Sequence, residues 1–112
     1  MITRLVTYYQ IVEADDRPLA ARIAADMPDD FPSAGIDLVS QRDPSKQKPE
    51  VRYYRADQER RAQYLACLLT EAYARTMKGP PVAFTYFSLA DRYKNLPQQR
   101  IEVWFPRMPN GG

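Results

Sequence analysis

The sequence contains no histidine, a single cysteine and no long apolar run, and each of these shortages excludes a kind of function. Histidine is the side chain that most often acts as a general base, so its absence removes the usual activator of a nucleophile. Because Cys67 is the sole cysteine, the chain has no internal disulfide, and we expect no redox chemistry within it. No apolar segment approaches the ~20 residues that span a bilayer, so we expect no membrane span.

Glycine is also scarce, with 4 in 112 residues, and none of them builds a phosphate-binding loop. The pairs Asp15-Asp16 and Asp29-Asp30 are the remaining candidates for metal or acid–base chemistry. Both pairs flank the ends of a predicted helix, so we interpret the first pair as a helix cap and the second as a turn. We therefore predict no catalytic residue, no metal site and no cofactor, and we do not expect an enzyme.

The charge and size of the chain narrow the choice further. The net charge is +2, which is too small to favour a nucleic-acid partner by itself. A chain of 112 residues, of which 45% are apolar, suits one globular domain. We predict a single α+β domain over residues 1–106 and a disordered tail over residues 107–112.

The clearest pattern is a strand that leads through one acidic residue into a long amphipathic helix, over residues 51–78. Val51 and Tyr53 alternate with polar neighbours, which indicates a strand, and Asp57 is the predicted helix cap. The apolar positions of the helix repeat at helical spacing and predict one buried face. That face consists of Ala62, Leu65, Leu68, Leu69, Ala72 and Tyr73.

The remaining elements complete a strand–helix–strand order that occurs twice. We predict strands over residues 2–11, 36–41 and 101–105, a helix over residues 17–27 and an exposed loop over residues 42–49. This order predicts an α+β fold with a ferredoxin-like, split βαβ sheet and two helices on one face. We expect Leu65, Leu69, Val103 and Phe105 to meet in the core beneath the long helix.

Two helices on one face of a sheet leave its other face open. Strand alternation predicts that Arg52, Tyr54 and Trp104 point to this open side, together with Tyr8 of the first strand. These four residues are the predicted ligand- or partner-binding site, because aromatic rings stack on sugars or bases and a guanidinium holds anionic groups. In the alternative interpretation, residues 79–100 fold over these rings.

Cys67 falls on the polar side of the long helix by its spacing from the leucines, in line with Gln63, Thr70 and Ala74. In a chain without histidine we interpret it as an inert thiol. The small side chains of this stripe suit close approach of another helix or subunit, and equally a contact with solvent or with residues 79–100.

Three segments resemble a known family, and they cover residues 19–24, 51–55 and 62–66. They are similar to the C-terminal domain of LytR-type bacterial envelope proteins, whose architecture is similar to that of the SPOR domains, which bind peptidoglycan glycan strands. The resemblance extends over residues 2–69 and implies a SPOR-like sheet with a glycan ligand. The chain departs from the family at Glu13-Ala14-Asp15-Asp16, where the family has a Gly-containing turn, and residues 79–100 have no counterpart.

Taken together, these observations predict a non-catalytic binding or interaction module that contacts a glycan or a protein partner through an aromatic sheet face. One alternative is a small homo-oligomeric ferredoxin-like enzyme with a site between subunits. Another is a subunit that contacts a larger protein through a sheet edge or the Cys67 face. Nucleic acid is not expected, because the RNA-binding signature with glycine between aromatic residues is absent. We expect a cytoplasmic protein from the chain as it stands, and an envelope-associated one if the chain is a fragment of a longer exported protein.

Overall fold

The computed structural model describes residues 5–90 and 99–108, which form one mixed sheet and two helices. The elements are β1 (Val6–Ile11), α1 (Arg17–Ala25), β2 (Ser33–Leu38), β3 (Glu50–Tyr53), α2 (Glu59–Thr76), β4 (Thr85–Ser88) and β5 (Arg100–Trp104). A short 3-10 turn precedes each helix. The predicted α+β class is confirmed.

The strand order of the sheet is β2-β1-β5-β3-β4. β1 runs parallel to both β2 and β5, and β3 runs parallel to β4, whereas β3 and β5 are antiparallel. The two strand–helix–strand units are β1-α1-β2 and β3-α2-β4. The two strands of each unit are direct neighbours in the sheet, and β5 lies between the units. This connection differs from the split arrangement that we predicted, in which another strand separates the two strands of a unit.

β5 is the central strand of the sheet and is buried on both faces. Ile101 and Val103 are 0% exposed on the helix side, and Glu102 is only 9% exposed on the opposite side. Side chains of the neighbouring strands cover a central strand on both faces, and the backbones of those strands satisfy both of its edges. The chain order of the elements contains no signal for this pairing, because strand pairing depends on contacts between distant segments.

The core lies between the helices and one face of the sheet. Leu65, Leu69, Val103 and Phe105 are all 0% exposed and belong to a single apolar cluster, as predicted. Phe105 is stacked on Tyr9 at a ring-centroid distance of 6.0 Å. The predicted buried face of the long helix is confirmed, with Leu68 at its partly buried margin.

The start of α2 differs from the prediction, because Asp57 does not cap the helix. The side-chain oxygen Oε1 of Gln58 instead accepts hydrogen bonds from the backbone N–H groups of Tyr54, at 3.0 Å, and Arg55, at 3.1 Å. Asp57 forms an exposed ion pair with Arg55 at 3.2 Å. Gln58 is 2% exposed, so the amide that closes the strand-to-helix turn is buried within it.

The second strand, Ser33–Leu38, begins and ends three residues earlier than the predicted strand over residues 36–41. Its register with β1 is irregular between Thr7 and Tyr9. Gly35 lies opposite this irregularity and has a φ of 107°, a conformation that favours glycine. The bulge allows the strand to continue through a residue that reads as a turn former in the sequence.

The segment after Trp104 belongs to the domain at least as far as Met108. Met108 is 2% exposed, and its backbone N–H donates to the Asp16 carboxylate at 3.2 Å. Arg107 lies 3.6 Å from the same carboxylate. The predicted tail is therefore wrong for these two residues, since a buried carboxylate holds them, and residues 109–112 lie outside the described residues.

Candidate binding face

The sheet surface opposite the helices carries interleaved aromatic and charged side chains, and we call it the open face. Its members are Tyr8, Gln10, Glu50, Arg52, Tyr54, Phe87, Arg100, Glu102 and Trp104. The strand register places Tyr8, Glu102, Arg52 and Phe87 side by side in one row across four strands. The structure thus brings the four predicted site residues onto a single surface.

Arg52 is stacked between two aromatic rings at the centre of this surface. Its guanidinium carbon lies 4.1 Å from the Trp104 ring centroid and 5.6 Å from that of Phe87. The Arg52 Nε donates to Glu50 Oε2 at 2.9 Å. A guanidinium held over an indole in this way is attracted to the ring quadrupole, so the geometry fixes both side chains.

Arg100 makes a second stack of the same kind. Its guanidinium carbon lies 4.1 Å from the Tyr8 ring centroid and 5.9 Å from that of Tyr54. Its Nη2 donates to Glu102 Oε2 at 2.8 Å. The open face therefore contains two arginine–aromatic stacks, each anchored by a glutamate two residues away along the same strand.

Glu102 connects the two stacks. Its Oε1 accepts a hydrogen bond from Trp104 Nε1 at 3.1 Å, while its Oε2 holds Arg100. The Tyr54 hydroxyl also bonds to Glu102. Burial, with Glu102 adding to it, raises the pKa of Tyr54 well above its usual range. One carboxylate thus fixes three neighbouring side chains in a polar network.

The charges of the open face balance one another. Arg52 pairs with Glu50 at 2.9 Å and Arg100 pairs with Glu102 at 2.8 Å. A glutamate balances the charge of each guanidinium, so this surface does not favour the anionic ligand that the sequence suggested for Arg52. Among the residues that the structure describes, this face has no excess of positive charge, which is the feature that nucleic-acid binding needs.

The exposure of the aromatic side chains on this surface is unequal. Tyr8 and Trp104 are partly exposed, and Phe87 is 38% exposed. Tyr54 is only 9% exposed, so our expectation of an exposed ring is wrong for this residue. The reason is its position beside Arg100 and Glu102, which leave little of the ring in contact with solvent.

Arg100 and Phe87, which each take part in a stack on the open face, were not among the four predicted site residues. Arg100 stands two residues before Glu102, and strand alternation extended by one step would have placed it on the same side. Phe87 lies on β4, a strand that the sequence did not indicate because all of its residues are exposed. β4 lies alongside β3 and extends the sheet, so the described part of residues 79–100 does not fold over the rings. Residues 91–98 lie outside the described residues.

The other candidates from the sequence do not form a site. Cys67 is exposed on α2. Asp29 and Asp30 lie in a turn, as predicted. Asp16 does not cap α1 as we predicted, because it is buried and bonded to the Met108 N–H, and burial raises the pKa of its carboxyl. No group of three or more potential metal ligands occurs within residues 5–90 and 99–108.

Comparison with known proteins gives no relative for this chain. No protein-family model, curated protein or solved structure matches it. Neither helix of the described chain is both long and apolar enough to cross a bilayer. The resemblance to LytR-type and SPOR-like domains stays a prediction.

Proposed function

We propose that this protein is a non-catalytic interaction module that binds a protein partner through the open face. The observation that carries the proposal is the Arg52 guanidinium, which Glu50 holds 4.1 Å from the Trp104 ring centroid. This arrangement places an arginine and a tryptophan, two of the residue types that dominate binding energy in protein interfaces, next to each other on a partly exposed surface.

The rigidity of the open face supports this function. Arg52, Arg100 and Trp104 each have a hydrogen-bond partner on the same surface, so their side chains are ordered before any partner arrives. Ordering a flexible side chain at an interface costs about 0.5–1.5 kcal/mol. A surface that is already ordered avoids much of this cost, which favours binding by a matching protein surface.

The balance of charge favours a protein over an anionic ligand. A nucleic acid or an acidic glycan requires free cations, whereas both arginines of the open face are paired with glutamates. A neutral sugar would stack on a bare ring, but Arg52 already lies over the Trp104 ring. The glycan ligand implied by the SPOR-like resemblance is therefore the second candidate.

A photo-crosslinking experiment tests the proposal directly. A photoreactive phenylalanine analogue at position 8 lies on the open face, and the same analogue at position 64 lies on the helix side. Tyr64 is a suitable control because it is an aromatic residue that is 52% exposed. We expect protein adducts from position 8 and none of the same mass from position 64 when the chain is irradiated in cells.

A second variant tests whether the adducts depend on the stack. Arg52→Ala removes the cation from the Trp104 ring and should reduce the yield of position 8 adducts by about tenfold or more, since interface arginines often contribute ~2 kcal/mol. Adducts that persist at full yield would contradict the proposal. Co-sedimentation with purified peptidoglycan, together with an absence of protein adducts, would instead support the glycan ligand.

A further inference from the structure

The two outer edges of the sheet differ in how they are protected. β2 and β4 are the outermost strands, and the outer edge of such a strand presents backbone groups that can pair with another strand. Proteins usually block these edges with charges, bulges or covering side chains. A comparison of the two edges therefore indicates which of them is suited to a partner.

The edge formed by β2 carries three protective features. The Arg17 side chain reaches from α1 to the edge, and its Nη1 donates to the Ile36 carbonyl oxygen at 2.6 Å. Asp37 adds a charge within the strand, and the bulge at Gly35 interrupts the regular ladder. Strand addition at this edge would displace the arginine and bring a carboxylate next to the incoming chain.

The edge formed by β4 has none of these features. Its sequence from Thr85 to Ser88 contains no charged residue and no proline, and its register with β3 is regular. The backbone N–H of Thr85 donates to the carbonyl oxygen of Pro49, directly before β3, and that of Leu89 donates to the carbonyl oxygen of Tyr53 in β3. The backbone groups of the alternating residues Tyr86 and Ser88 therefore point outward. Those outward groups have no partner within the described part of the chain.

The side chains of β4 are also exposed along its whole length. All four residues are exposed, including Tyr86 at 37% and Phe87 at 38%. An uncharged strand with two exposed aromatic rings and unpaired backbone groups favours association rather than solvation.

We propose that β4 pairs with the β4 strand of a second copy of this chain, in the antiparallel direction that two-fold symmetry requires. A second copy fits because the strand is uncharged and self-complementary. With Phe87 opposite the partner subunit's Phe87, the outward groups of Tyr86 meet those of the partner subunit's Ser88. The two phenylalanine rings then form a cross-strand pair at the closely spaced, non-hydrogen-bonded position.

This pairing joins the two sheets into one and places the two open faces side by side. Phe87 is a member of the open face and lies next to Arg52, so the aromatic surface continues across the symmetry axis. The inference does not depend on the proposed protein partner, because it uses the backbone edge of β4 and needs no ligand.

A charge-swap experiment at position 87 tests the pairing. Phe87→Glu places two like charges opposite each other in the dimer, whereas in a single copy the new carboxylate lies beside Arg52. Sedimentation over a concentration series should show a dimer for the natural chain and a dissociation constant raised roughly tenfold or more for Phe87→Glu. Phe87→Lys should weaken the dimer in the same way, and a mixture of the two variants should restore it.

Leu38→Glu is the matched control at the other edge, where the replaced side chain is 52% exposed. It should leave the dimer unchanged, and circular dichroism of each variant should match the natural chain. A natural chain that stays monomeric at every concentration would overturn the inference. A dimer that survives Phe87→Glu, or one that the mixture of the two variants does not restore, would also overturn it.

Discussion

Replacement of Glu102 is the sharpest test of how the open face is built, because its carboxylate holds three side chains at once. The Glu102 side chain is 12% exposed and bonds to Arg100 at 2.8 Å and to Trp104 Nε1 at 3.1 Å, and the Tyr54 hydroxyl bonds to it as well. Removing one partner of a buried ion pair costs about 3–5 kcal/mol, because the other charge is left without compensation. The Arg100 side chain is 25% exposed, so some water reaches it. We therefore expect Glu102→Ala to lower the free energy of unfolding by about 3 kcal/mol.

Glu102→Gln separates the charge from the shape of the side chain. Glutamine keeps one acceptor oxygen and the packing volume but removes the charge that strengthens the bond to Arg100. The expected loss is about 1–2 kcal/mol. Glu71→Ala is the control, because Glu71 is an exposed glutamate on α2, and its replacement should change stability by less than about 0.5 kcal/mol.

The measurement is urea unfolding followed by tryptophan fluorescence. Trp104 is the single tryptophan of the chain, so its emission reports on the open face. In Glu102→Ala the emission of the folded state should also shift to longer wavelength, since the indole N–H turns to water. A midpoint for Glu102→Ala within experimental error of the Glu71→Ala midpoint would show that the network contributes nothing to stability.

Two further predictions concern the core beneath α2. Leu69 is 0% exposed, so Leu69→Ala should lower the free energy of unfolding by about 2–5 kcal/mol in the same urea assay. Gln63→Ala, on the exposed side of α2, should be nearly neutral. An unchanged midpoint for Leu69→Ala would contradict the assigned helix face. Burial raises the pKa of the Tyr9 hydroxyl above its unfolded-state pKa of about 10. Such a group stabilises the folded state while the pH is below its unfolded-state pKa, and this contribution is lost as the pH rises further. The free energy of unfolding should therefore fall above pH ~10, and Tyr9→Phe should reduce this fall. At neutral pH, Tyr9→Phe should cause no loss of stability, because the Tyr9 hydroxyl is buried with no hydrogen-bond partner among the described residues. An unaltered pH profile for Tyr9→Phe would contradict this assignment.

The helices were predictable because their signals are local. Leu19, Ile23 and Met27 repeat at helical spacing, and Pro18 occupies the first turn of α1, so the predicted start agrees with the structure and the predicted end lies two residues beyond it. The helix start after β3 was predicted, but its cap was not. The Gln58 side chain closes that turn by accepting hydrogen bonds from the backbone N–H groups of the two residues after β3, Tyr54 and Arg55. Residue preferences at the cap position favour Asp57 instead.

The sheet was less predictable because its determinants are not local. β4 has no alternation of buried and exposed residues, since its four residues are all exposed at the edge, and alternation is the signal that identifies a strand. The central position of β5 depends on pairing with β1 and β3, which are more than 40 residues away in the sequence for every paired residue. The four predicted site residues did reach one surface, because strand alternation placed Tyr8, Arg52 and Trp104, and Tyr54 directly follows β3.

Replacements on the open face differ in how well they separate binding from stability. Trp104 donates a hydrogen bond to Glu102, and Tyr54 is only 9% exposed, so replacing Trp104 or Tyr54 will also lower stability. Loss of binding in such a variant therefore has two causes, the missing side chain and the weakened fold. Arg52 separates the two effects better, because its side chain is 24% exposed and its charge is balanced by Glu50. Arg52→Ala together with Glu50→Ala removes a balanced pair, which should cost less stability than either change alone. Loss of the protein adduct in that double variant, with its unfolding midpoint close to that of the natural chain, would assign the contact to the Arg52–Glu50 pair rather than to lost stability.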